Sequence, residues 1–138
     1  MEARVTWIDN MAFRGESESG HQVVMDAREE FGGNNSGPSP MEMLLLGAGG
    51  CTSIDVASIL KKARQEVTGI EVKLSAERAS EVPKVFTKIH LHFVISGKAV
   101  AENHVERAIN LSAEKYCSAS IMLGQMAEMS HSFEIVES

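Results

Sequence analysis

Polar and apolar positions alternate from Ala3 to Ile8, the period of a half-buried strand. Asp9 and Asn10 turn the chain. A second strand is expected over Ala12 to Glu18 and a third over His21 to Asp26, joined by the tight-turn pair Ser19 and Gly20. Together these predict an antiparallel meander. Between Ala27 and Pro40 the alternation stops and Gly, Asn, Ser and Pro crowd together, the composition of a loop. Ser39 is a natural N-cap, Pro40 occupies the favoured first helical position, and Glu42 falls in the first turn. A helix is therefore expected from here through Cys51 to about Arg64. It is apolar all round, which predicts a buried central helix.

Alternation returns at Gly69. Ile70, Val72, Leu74 and Ala76 share one face, and Glu71, Lys73, Ser75 and Glu77 the other. Glu81 to Lys84 turns the chain. Val85 to Ile95 then runs back with Val85, Thr87, Ile89, Leu91 and Phe93 on one face, and Phe86, Lys88, His90, His92 and Val94 opposite. This predicts a long hairpin with one apolar side. Ala101 to Tyr116 reads as an amphipathic helix with Val105, Ala108, Ile109 and Ala113 along its stripe. A second helical piece follows through Ile121, Met122 and Met126, and Ser132 to Val136 closes as a strand. The order describes one α+β domain over residues 1–138, built on antiparallel sheets. A domain this small rarely encloses a helix apolar on every side. The expected resolution is a homodimer in which two such helices are wrapped by sheets from both chains.

A length of 138 residues with 43% hydrophobic content supports one core and excludes a disordered tail. Aromatics are scarce and methionine frequent, with eight copies, a composition suited to adaptable apolar packing. The net charge is −6, and no basic run exceeds Lys61-Lys62, so no nucleic-acid partner is expected. The longest apolar stretch, Met43 to Gly50, is too short to span a bilayer, and the N-terminus does not read as a signal peptide. A cytoplasmic protein with reduced thiols and no membrane association is expected.

Candidate chemistry centres on two cysteines, Cys51 and Cys117, each in a helix-like segment. They are too far apart for a CxxC metal clip and too few for a disulfide scaffold. Two readings of the residues remain: small inert core thiols, or a reactive thiol with a partner brought to it by the fold. Gly47, Gly49 and Gly50 cost a helix about 1 kcal/mol each relative to alanine. Close packing against another backbone, or space beside Cys51, is expected to offset that. Asp55 lies one turn after Cys51 on the same face. A carboxylate there opposes a thiolate, so Asp55 is expected to bond elsewhere, across the dimer for instance. His90 and His92 share a strand face but lack the further ligands that a zinc site needs, and read as solvated.

The chain resembles the osmotically inducible protein C and organic hydroperoxide resistance (OsmC/Ohr) family over almost its whole length. The resemblance rests on Gly37-Pro38-Ser39-Pro40, Gly47-Ala48-Gly49-Gly50-Cys51-Thr52 and Lys115-Tyr116-Cys117-Ser118-Ala119-Ser120. The run Cys51 to Val56, followed by Ile59-Leu60-Lys61-Lys62, is most similar to the branch typified by the bacterial YhfA proteins. The resemblance implies an intertwined homodimer with sites at the subunit interface and thiol-based reduction of hydroperoxides, often organic ones. It implies no metal, haem or flavin, and an external dithiol as reductant. Cys51 matches the peroxidatic cysteine and Cys117 the resolving one.

The family also uses an arginine from the N-terminal meander, held by a glutamate at the start of the central helix. Arg14 is the best-placed match and Arg28 the runner-up. The glutamate position falls on Met41, with Glu42 next to it, a rotation of about 100° on a helix. Ser118 stands where many members have a proline after the resolving cysteine. Two functions follow: a hydroperoxide reductase using Cys51, Cys117, Arg14 and Glu42, or a weakly active or non-catalytic OsmC-like dimer that binds a small apolar or reactive ligand. Retention of both cysteines favours the first, and the displaced glutamate the second.

Overall fold

The computed structural model describes all residues, Met1–Ser138. Strands β1 (Ala3–Asp9), β2 (Ala12–Ser17) and β3 (Gln22–Met25) form the predicted antiparallel meander in the order β1-β2-β3. The loop after it contains one 3₁₀ turn, Glu29–Phe31. Helix α1 runs Pro40–Lys62 and ends two residues before Arg64, which takes a left-handed conformation. Strands β4 (Glu66–Arg78) and β5 (Phe86–Lys98) make the long hairpin. Helix α2 (Glu102–Leu111), a π-helical turn (Ser112–Tyr116) and helix α3 (Ser118–Leu123) lead into β6, Glu128–Glu137. The chain divides into two compact units, Met1–Leu46 and Gly47–Ser138.

In the first unit a buried aspartate organises the loop. Both oxygens of Asp26 accept hydrogen bonds: Oδ1 from the Ala27 N–H, and Oδ2 from the Asn34 and Ser36 N–H groups and the Ser36 hydroxyl. The chain then enters α1 through a capping box. The Glu42 N–H donates to Ser39 Oγ at 3.3 Å, and the Ser39 N–H to Glu42 Oε1 at 2.9 Å.

The second unit holds most of the core. On β5, Ile89, Leu91, Phe93 and Ile95 are all buried, paired across the hairpin with Ala76, Leu74, Val72 and Ile70 as the alternation requires. Full burial of such side chains contributes about 1.5–3 kcal/mol each. Phe86 departs from its predicted face. A register shift at Glu77/Arg78 inserts a bulge before the regular alternation begins and turns Phe86 inward, where it is buried. The sheet order is β4-β5-β6, and β6 runs parallel to β5, so the expectation of purely antiparallel sheets is corrected. The physical reason is the connection: β5 reaches β6 through the helical segment, which carries the chain back to the starting end of the strand.

Helix α1 is buried along one stripe only: Ala48, Gly49, Thr52, Val56 and Leu60. Leu44, Leu46 and Ile54 are exposed, Ile54 by 72%. Within a single chain, the expected burial on all sides is therefore not met. By length and composition α1 is also apolar enough to cross a bilayer, with a mean hydropathy of 1.6 in its most apolar window. Counting only the unbroken run Met43 to Gly50 missed this.

Candidate functional site

Cys51 lies in α1, where the helix turns Thr52 and Val56 into the core and leaves Cys51 half-buried at the edge of that stripe. Of the nearby glycines, only Gly49 has a close neighbour, and it is the tip of a leucine side chain rather than the expected backbone. A Cβ there would sit 2.9 Å from Leu74 Cδ1, whereas Gly47 and Gly50 face open space in this chain.

Cys117 is not inside a helix as expected. It is the N-cap of α3, with extended backbone (φ −79°, ψ 95°), directly after the π-helical turn. Its N–H closes that turn on the Ser112 carbonyl at 2.8 Å. The side chain is fully buried. The Cys117 thiol donates to Ser120 Oγ at 3.1 Å, and the Ser120 N–H donates back to Sγ at 3.4 Å. Burial pushes the pKa of this thiol above its ordinary value. The Ser120 bonds pull the other way, and the neighbouring Cys51 adds to the rise. Cys117 is therefore held as a protonated, inward-facing thiol.

The fold brings the two cysteines together. Both are free thiols, and their sulfurs and an Asp55 carboxylate oxygen all lie within 4.8 Å of one another. Asp55 does bond to another group, but inside its own chain: Oδ2 accepts from the Ser112 hydroxyl at 3.0 Å. Ser112 has one hydroxyl proton and commits it to Asp55. The 2.8 Å contact between Thr52 Oγ1 and Ser112 Oγ is then a donation from Thr52. A polarised chain, Thr52 to Ser112 to Asp55, thus ends beside the thiols. Thr52, Ser112 and Ser120 were not singled out from the sequence. Ser112 had a signal, since it continues the Val105, Ala108, Ile109 stripe as a polar residue on an apolar face.

Arg14 and Glu42 belong to the first unit. Arg14 Nε donates to Glu16 Oε1 at 3.2 Å, and Glu42 closes the capping box. The Ser39 bonds hold the Glu42 carboxyl below its ordinary pKa, with a smaller contribution from the charge of Arg28. Arg28 itself is exposed, 4.0 Å from Glu30. His90 and His92 lie along β6 neighbours. The ring nitrogens of His90 contact the Ser130 and Ser132 hydroxyls at 2.7 and 2.9 Å, and His92 contacts Ser132 and Glu134.

Next to the thiols a groove of about 550 Å³ runs between α1 and α2. Asp55 lines it, with Ile59 and Leu111 as apolar wall and Lys62, His104 and Arg107 as basic groups.

Comparison with known proteins shows the family and the fold. The model of the family described as "OsmC-like protein" matches residues 33–132, which include both cysteines. Protein YhfA of Escherichia coli K12 is 50% identical over 136 residues, covering 99% of this chain and 98% of the relative. Among solved structures, a hypothetical protein from Aquifex aeolicus is 31% identical with a TM-score of 0.88, covering 99% of this chain and 96% of that one. The organic hydroperoxide resistance protein OhrB of Bacillus subtilis shares the fold at a TM-score of 0.63 and 19% identity, covering 97% of this chain and 98% of that one.

Proposed function

The chain belongs to the OsmC-like protein family, and from that premise we propose that it is a thiol-dependent hydroperoxide reductase. Cys51 is the nucleophile and Cys117 the resolving thiol. One observation carries the reading: two free thiols share one cluster, one of them half-buried and reachable, the other fully buried and held protonated. The Cys51 thiolate attacks the terminal oxygen of R–O–O–H. An S–O bond forms, the O–O bond breaks, and the leaving alkoxide takes a proton as ROH. Cys117 then attacks the Cys51 sulfenic sulfur, loses its proton and displaces water, leaving a disulfide. An external dithiol returns two electrons and two protons. Arg14 as support for the thiolate, and Glu42 as its anchor, remain parts of this proposal that the local bonds to Glu16 and Ser39 do not favour.

The groove beside Asp55 favours the second reading, a binding protein for a small ligand with an apolar body and an anionic group. Consumption of tert-butyl hydroperoxide with a dithiol separates the two. The reductase shows saturable turnover that falls to background in Cys51→Ser, while Cys117→Ser, assayed without dithiol, reduces one equivalent and stalls as a sulfenic acid. No consumption above the dithiol background in freshly reduced wild type overturns the reductase and leaves the binding protein.

A further inference from the structure

Cys51 and Asp55 are four residues apart on α1, so both side chains leave the same helix face and can grip one atom between them. Cys117 reaches the same point from the N-cap of α3. All three candidate ligand atoms lie within 4.8 Å of one another. A tetrahedral zinc centre with Zn–S bonds of about 2.3 Å and Zn–O bonds of about 2.0–2.2 Å sets its ligand atoms roughly 3.5–3.8 Å apart. The cluster needs only modest closing to meet that.

We propose that the reduced chain binds a soft divalent cation of the zinc class through Cys51 Sγ, Cys117 Sγ and Asp55, with a fourth coordination position left open. The donor set selects the metal. Two sulfurs exclude magnesium and calcium, which prefer oxygen, and a single carboxylate suits zinc or its surrogates cobalt and cadmium. Electrostatics point the same way. A bound dication displaces the Cys117 thiol proton to solvent, and its charge offsets the repulsion that a second thiolate would otherwise meet beside Cys51 and Asp55.

Groups behind the ligands are in place to orient them. The Ser112 hydroxyl holds Asp55 Oδ2 at 3.0 Å and is itself fixed by Thr52, while the Ser120 N–H points at Cys117 Sγ. Cys51 and Asp55 are half-buried, and Asp55 borders the groove, which supplies an entry path. No sequence spacing advertises such a site, because its ligands at 51, 55 and 117 come from two elements. The inference does not rest on peroxide chemistry, since a chain with no peroxidase turnover keeps all three ligands. Metal and disulfide exclude each other, because a disulfide sulfur carries no thiolate charge to donate.

The test is a cobalt(II) titration of the freshly reduced full-length protein without oxygen, followed by absorbance. One cobalt per chain is expected, with a sulfur-to-cobalt charge-transfer band and the visible bands of a tetrahedral centre, both abolished by zinc. Cys51→Ser and Asp55→Asn each weaken binding at least ~100-fold, and Ser112→Ala weakens it by about 10–100-fold. Asp55→Asn keeps the charge-transfer band at saturating cobalt, because both sulfurs remain. Circular dichroism of each variant separates lost ligands from lost fold. Protein oxidised to the disulfide beforehand binds no cobalt. Absence of the charge-transfer band in reduced wild type overturns the proposal, as does unchanged affinity in folded Cys51→Ser and Asp55→Asn.

Discussion

Cys51 and Cys117 have the same side chain and different surroundings, and that difference divides the proposed labour between them: access for the nucleophile, burial and a Ser120 partner for the resolver. Asp26 shows the same dependence of a residue on its setting. Its carboxyl pKa lies below the ordinary value, chiefly through the Ser36 hydroxyl and N–H, with the Ala27 and Asn34 N–H groups adding to the effect and burial opposing it. A depressed folded-state pKa contributes stability that is present above the unfolded value, about 3.9, and is lost as the pH falls through the folded value. Asp26→Asn should therefore lower stability at pH 7, because one carboxamide oxygen cannot replace two acceptors. The gap from wild type should close in acid below about pH 4. Urea unfolding at both pH values checks this. A gap that stays constant down to pH 2 would mean that the carboxylate charge is not what organises the loop.

At the scale of elements, the start of α1 separates a structural role for Glu42 from a chemical one. The capping box accepts glutamine in place of glutamate, so Glu42→Gln keeps the cap and removes the charge. If Glu42 only caps, peroxide turnover in Glu42→Gln stays within about twofold and stability changes by less than ~0.5 kcal/mol. If it anchors an arginine at the site, turnover falls by an order of magnitude or more. Ser39→Ala removes the cap acceptor and costs about 1 kcal/mol in chemical denaturation, whichever role Glu42 has. At the open end of the long hairpin, Gly97 shows how closely β5 approaches β4. A Cβ there would run into the Glu66 carbonyl and approach Val100 Cγ2 to 2.6 Å, so only glycine fits.

At the scale of the whole molecule, α1 presents an uncovered apolar face. Leu44, Leu46 and Ile54 are exposed, and Gly47 and Gly50 face space, an arrangement that suits close approach by a second helix. The homodimer proposed from the sequence remains the reading that accounts for it. Ile54→Asp tests it by sedimentation. Wild type is expected to be dimeric, and the variant's dimer dissociation constant should rise at least ~30-fold, the loss of about 2 kcal/mol typical of an interface anchor. A monomeric wild type at micromolar concentration would remove the dimer and leave the apolar face unexplained.

Short-range information determined a good part of this. Alternation placed the meander and the long hairpin, and Ser39-Pro40 placed the start of α1 at the residue, because strand period and capping act between neighbours in sequence. The two cysteine motifs identified the family and the central pair for the same reason: each motif is local. The tertiary structure decided what depends on distant segments meeting. It ran β6 parallel to β5, turned Phe86 inward through a bulge, and joined Thr52 and Asp55 of α1 to Ser112, 60 and 57 positions away. It also gave one cysteine access and buried the other. Hydrogen bonds, burial and cation-binding geometry depend on distance in space, and no local pattern carries that distance.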